Sequence, residues 1–132
     1  MISSIFLAMP VENIARSITF FEALGFRINP QFTNDESACV VISDNIFAMI
    51  SNHEKYTSFS EKKLPSKDAA EVIFSLQCES TDEVKSIAEK AFAAGARRVN
   101  EPSDQGFMFS WGFEDLDGHL WDLFWMDPAN FK

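Results

Sequence analysis

The feature that most limits what this chain can fold into is a plan written twice. Two helix-ending glycines, in Leu24-Gly25-Phe26 and Ala94-Gly95-Ala96, lie 70 residues apart, and each follows a stretch of apolar residues at helical spacing. Ahead of each helix stands a strand-like run. In the first, Ile5, Leu7 and Met9 alternate with Ser4, Phe6 and Ala8; in the second, Val72, Phe74, Leu76 and Cys78 alternate with Ile73, Ser75 and Gln77. After each helix come short strands and a closing strand–turn–strand pair, around Asp44-Asn45 and Asp117-Gly118, about as far apart as the glycines. Residue identity between the halves is weak, so the repeat is one of pattern. Each half reads β-α-β-β-β. The 132 residues suit one ordinary domain or two small fused modules, and are enough for a core without metal or disulfide staples.

The details agree with that plan. Asn13 is placed to cap the first helix, whose buried stripe reads Ile14, Ile18 and Phe21, extended by Phe20 and Leu24. Short strands are expected at Phe26-Arg27-Ile28, over 37–42 and over 46–50. The run SNHEKYTSFSEKKLPSKDAA over 51–70 is polar and nearly aperiodic, and reads as a connection or a flap with room for one helical turn. Ser80-Thr81-Asp82-Glu83 is a capping box opening the second helix, with Val84, Ile87, Ala88, Ala91 and Phe92 on its apolar stripe. Strands over 97–100 and 106–113 precede the last hairpin. The expected organisation is a first module over 1–50, a connection over 51–70 and a second module over 71–132, within one α+β domain. Each sheet has one helix for one face, so the economical solution is tandem βαβββ modules whose curved mixed sheets share a cup.

Charge and cysteine usage narrow the partners. With 20 acidic against 11 basic side chains the formal net charge is −9, which disfavours nucleic acid, because phosphate binding needs clustered cations. Arg97-Arg98 is the one adjacent arginine pair and reads as solvated charge after a helix end. An acidic field weakly favours a cationic ligand over an anionic one. Cys39 and Cys78 sit in apolar runs with no CxxC spacing and read as small buried hydrophobes. The first ten residues lack the basic and apolar regions of a signal peptide, and no apolar run approaches a membrane span. The expectation is a cytoplasmic protein with no membrane partner.

The closing hairpin carries the residue of most chemical interest. Asp117-Gly118 signals a tight turn. Beyond it, Leu120 to Met126 is apolar except for Asp122, and a carboxylate there requires partners or a shifted pKa. Three roles fit Asp122: metal ligand, general base with a pKa raised by burial, or structural carboxylate accepting from Ser75, Gln77, a Trp N–H or the backbone. His119, three residues away, falls on the opposite strand face and reads as a turn residue beside Trp121. Phe107, Phe109, Trp111 and Phe113 alternate with Met108, Ser110 and Gly112, and Gly112 allows a bulge that leaves the phase open. If Leu120, Asp122 and Phe124 face the cup, some of Phe6, Ile73, Phe107, Phe109 and Trp111 do too, giving an aromatic-lined small-molecule site.

Two stretches carry a family resemblance. Val11-Glu12-Asn13-Ile14-Ala15-Arg16-Ser17-Ile18-Thr19-Phe20-Phe21 is similar to a V-x-D-L-x-x-S-x-x-F-Y opening, with Asn for Asp and Phe for Tyr. Glu114-Asp115-Leu116-Asp117-Gly118-His119-Leu120-Trp121-Asp122-Leu123 is similar to a D-P-D-G-x-x-W/I-E-L ending, with Leu116 for Pro and Asp122 for Glu. With the doubled plan, they resemble the vicinal oxygen chelate superfamily of glyoxalase I, bleomycin-resistance proteins and extradiol dioxygenases, closest to the glyoxalase-like (lactoylglutathione-lyase-like) branch. The resemblance implies four metal-ligand positions, which carry over to Phe6, to Ala48 or Met49, to Ile73 and to Asp122. Only Asp122 keeps a ligand type, so a divalent metal is allowed as cofactor but not favoured. A flap folded over the cup would offer His53 or Glu54 to a rebuilt site. The favoured function is binding of a small apolar or aromatic molecule in the cup by Phe6, Ile73, Phe107, Phe109, Trp111, Leu120 and Phe124, with Asp122 opposing positive charge; whether the protein is also an enzyme stays open. The alternative is a metal-dependent glyoxalase-like lyase or isomerase with Asp122 as catalytic residue and metal ligand. A third reading is a dimeric structural or regulatory protein with a filled cup. The resemblance also implies a homodimer.

Overall fold

The computed structural model describes residues 1–130. The chain divides into two compact units, Met1–Ser66 and Lys67–Lys132, with the division inside the polar run.

In the first unit, strand β1 (Ile5–Pro10) leads to helix α1 (Ile14–Ala23), then β2 (Arg27–Asn29), a 3₁₀ turn (Pro30–Phe32), β3 (Ser37–Ser43), β4 (Ile46–Ser51) and a short helix α2 (His53–Thr57). Asn13 caps α1, its Oδ1 accepting from Arg16 N at 2.9 Å. Gly25 ends it at φ 101°, a conformation that costs glycine little. The strand order is β1-β4-β3-β2, with β1 parallel to β4 and the other pairs antiparallel. Residues paired in register project to one side, so Met9, Ala48, Ile50, Ala38 and Val40 share a face. That face is buried against the Phe20, Phe21 and Leu24 side of α1. The opposite face carries Phe6, Ala8, Phe47, Met49, Ser37 and Ser51 and is bordered by the 3₁₀ turn and α2.

The second unit repeats the order: β5 (Ile73–Gln77), α3 (Thr81–Ala93), β6 (Arg97–Arg98), β7 (Ser103–Asp104), β8 (Met108–Glu114) and β9 (Leu120–Met126). The capping box forms with a one-residue difference. Ser80 Oγ accepts from Glu83 N at 3.0 Å, while Glu83 Oε1 takes the N–H of Glu79 rather than of Ser80. The sheet order is β5-β9-β8-β6, with β7 also on β8, and β5 parallel to β9. Val84, Ala88 and Ala91 of α3 pack on the face holding Phe109, Trp111, Phe113, Trp121 and Leu123. The two sheets are mixed and open, as an α+β chain of two βαβββ modules requires.

Two local expectations change. The connection from β8 to β9 is five residues, not a two-residue turn, because the carboxylate of Asp115 takes up its amides. The strand expected over 97–100 shortens to two residues, and β7 follows it. Among the described residues no helix is long and apolar enough to cross a membrane.

Candidate functional site

On the uncovered face of the first sheet lies a hollow of about 420 Å³. Its walls come from three places that the fold brings together. The strands supply Phe6, Ala8, Met49, Ser37 and Ser51; the 3₁₀ turn and its exit supply Gln31, Phe32, Thr33 and Asn34; α2 and the turn after it supply Lys55 and Phe59. Phe6 stacks on Phe47 with centroids 4.5 Å apart and planes 16° apart, forming a flat apolar platform. Large aromatic area stays exposed here: Phe6 is 50%, Phe32 53% and Phe59 55% accessible. Asn52 starts α2, accepting from Lys55 N at 2.8 Å, and the Lys55 ammonium stands 5.7 Å from the Phe59 ring centre.

On the second sheet the uncovered face has its own arrangement. Register puts Ser75, Asp122 and Gly112 in one row across β5, β9 and β8, between the rows Ile73–Leu120–Glu114 and Gln77–Phe124–Ser110. Asp122 is half-buried, and burial raises its pKa above the ordinary carboxylate value. Among the described residues no hydrogen bond or ion pair reaches its carboxylate. Gly112 lies beside it in a tight place: a Cβ there would stand 3.0 Å from the Trp121 carbonyl oxygen.

The structural carboxylate of this module is Asp115. It is buried, and Oδ1 accepts from Asp117 N at 2.9 Å and His119 N at 3.0 Å, while Oδ2 accepts from Trp121 Nε1 at 2.9 Å. Burial still pushes its pKa up, against these donors and the nearby His119. Trp121 therefore gives its N–H to Asp115 and not to Asp122.

Of the residues singled out in the sequence, Ile73, Leu120, Asp122 and Phe124 share the uncovered face of the second sheet. Phe109 and Trp111 are on the other face, 6% and 8% accessible, and Trp111 packs on Phe92 at 5.3 Å. The open phase of β8 thus resolves with the aromatics towards α3 and with Met108, Ser110 and Gly112 opposite. Phe107, just before β8, is exposed. Phe6 belongs to the first module's hollow. His53 and Glu54 start α2. Both thiols are free and buried; burial raises Cys39 and, with Glu83, pushes Cys78 up to about 11.

A divalent ion needs several N or O donors on one centre. Phe6, Met49 and Ile73 offer none, and among the described residues no three His, Cys, Asp or Glu side chains gather closely enough to hold a metal. The donor set does not fit such an ion. Sequence reasoning passed over Lys55, Ser37, Ser51 and Asp115. Asn52, three residues before Lys55, was the available signal, since Asn at that spacing opens a helix.

Comparison with known proteins accords with this architecture. The chain is similar to hypothetical protein SA1046 from S. aureus, with 28% identity over 94% of both chains and a TM-score of 0.79. It also shares its fold with a glyoxalase-related enzyme from Fulvimarina pelagi, at 16% identity over 91% of this chain and 85% of that one, TM-score 0.76. The fosfomycin resistance protein FosX from Mesorhizobium loti matches at 17% identity over 98% and 97%, TM-score 0.71. No curated protein matches the sequence. The Glyoxalase/Bleomycin resistance protein/Dioxygenase superfamily model matches residues 5–123, and the chain belongs to that family.

Proposed function

We propose that this protein binds a small, largely apolar or aromatic molecule, without a metal, in the hollow on the first module's uncovered sheet face. The observation that supports the reading is the combination of a hollow of about 420 Å³ with half-exposed aromatic walls. Pockets for small ligands fall in this size range and are mostly apolar, with a few polar groups to set orientation. Covering exposed aromatic surface contributes about 25 cal/mol per Å² removed from water. Phe6 on Phe47 offers a ring-sized platform, and Phe32 and Phe59 are positioned to cover a second side.

Thermal melting in the presence of neutral aromatic alcohols tests the reading. Naphthylmethanol raises the Tm of the wild-type chain and not that of Phe6→Ser, whose side chain is half exposed, so the variant folds. A flat response across a panel of neutral and charged aromatics overturns it.

A further inference from the structure

We propose that the molecule held in the first-module hollow carries an anionic group, such as a carboxylate, which meets Lys55 and the Ser37–Ser51 hydroxyl pair. This rests on the binding reading above and gives the ligand its chemical class.

The first observation is the sign of the charge. The chain carries a net −9, yet the residues lining the hollow include one charged side chain, Lys55, and no acid. Its ammonium faces the Phe59 ring, and among the described residues no carboxylate lies within ion-pair distance of it. An acidic protein that keeps one uncompensated cation on an apolar concavity has set that concavity apart from its own field.

The second observation is a buried donor with no acceptor. Ser37 and Ser51 are 6% and 1% accessible, line the hollow, and lie Oγ to Oγ at 2.9 Å. Two hydroxyls carry two hydrogens, and one of these joins the pair. The other meets no acceptor among the described residues. Buried polar groups are nearly always hydrogen-bonded, so this one calls for an acceptor from outside the chain.

The third is the state of the remaining polar atoms. Thr33 Oγ1 donates to Asn29 O at 2.7 Å and accepts from Cys39 N at 3.2 Å. Asn34 Oδ1 accepts from Glu36 N at 2.8 Å and from Ser37 N at 3.0 Å. The acceptors of these two residues are occupied by the backbone, while the ammonium, a serine hydroxyl and the Asn34 amide hydrogens remain as donors; the Gln31 amide, also in the lining, brings both a donor and an acceptor. Such a lining complements an acceptor-rich anion at one end of an apolar body. A cationic aromatic would set like charge against Lys55.

Titration of the full chain at neutral pH with naphthoate, naphthylmethanol and naphthylmethylammonium tests this. Naphthoate is expected to bind about tenfold or more tightly than the alcohol, as charged hydrogen bonds allow, and the ammonium most weakly. Lys55→Gln is expected to abolish the preference for naphthoate over the alcohol, and Lys55→Arg to keep it. Naphthalenesulfonate separates tetrahedral from planar anions, and preference for either anion over the alcohol supports the proposal. Equal or tighter binding of the alcohol or the ammonium overturns it and leaves the binding reading standing, as does an anion preference that survives Lys55→Gln. Absence of binding by every probe overturns both.

Discussion

Asp115 shows how one residue can hold a connection in place. Its carboxylate gathers two backbone amides and the Trp121 indole N–H, and that indole is part of the second module's core. Asp115→Ala removes the acceptor that these three donors share, one of them on a buried side chain, and is expected to cost about 3 kcal/mol in denaturant unfolding; a loss within experimental error would contradict this. Asp122 behaves oppositely. It is half-buried, unassisted, and held above the ordinary carboxylate value by burial. The folded chain therefore binds that proton more readily than the unfolded chain does. Stability from the group is fully present below its unfolded pKa and is lost as pH rises through the higher folded value. Asp122→Asn is accordingly expected to gain Tm relative to wild type as pH rises from about 3.8 towards neutrality; parallel curves would exclude a perturbed Asp122. The sequence made Asp122 conspicuous because its neighbours are Leu, Trp and Phe. Asp115 was inconspicuous among Glu114 and Asp117, since its burial depends on Trp121 folding back over the turn.

At the level of elements, α1, α3 and the longer strands were legible, because helical spacing, Asn13, Ser80 and the glycines all agreed. The phase of β8 was not legible, since both of its faces carry residues that can pack. What decides it is the opposing helix. Val84, Ala88 and Ala91 are small, and they leave the depth that Trp111, Phe113 and Trp121 fill. Gly112 then falls on the uncovered side, with the Trp121 carbonyl 3.0 Å from where a Cβ would stand and Val99 and Asn100 close by. Gly112→Ala must shift the backbone of β8 or β9 and is expected to cost about 1–3 kcal/mol of stability in denaturant unfolding; a neutral effect would mean that the strands separate freely there. The strand pair β6 and β7 escaped sequence reasoning because two residues each give no periodicity to read.

At the scale of the whole molecule, the duplicated plan was the most legible feature, and the division after Ser66 falls within the polar run that separates its copies. The hollow was least legible. Its floor comes from residues of β1, β3 and β4, its rim from a 3₁₀ turn and from a five-residue helix inside that polar run, and no single stretch of sequence contains the whole lining. Net charge and local lining point in different directions: an overall −9 weakly favours a cationic ligand, whereas the lining of the hollow offers a lone cation. The direct test of the account is residue-resolved amide NMR of the full chain titrated with naphthylmethanol, a neutral probe that isolates the apolar hollow from its charge. The account predicts saturable shifts concentrated at Phe6, Phe32, Met49, Ser51, Lys55 and Phe59. Shifts that do not saturate, or that concentrate on the outer surface of α3, would contradict it.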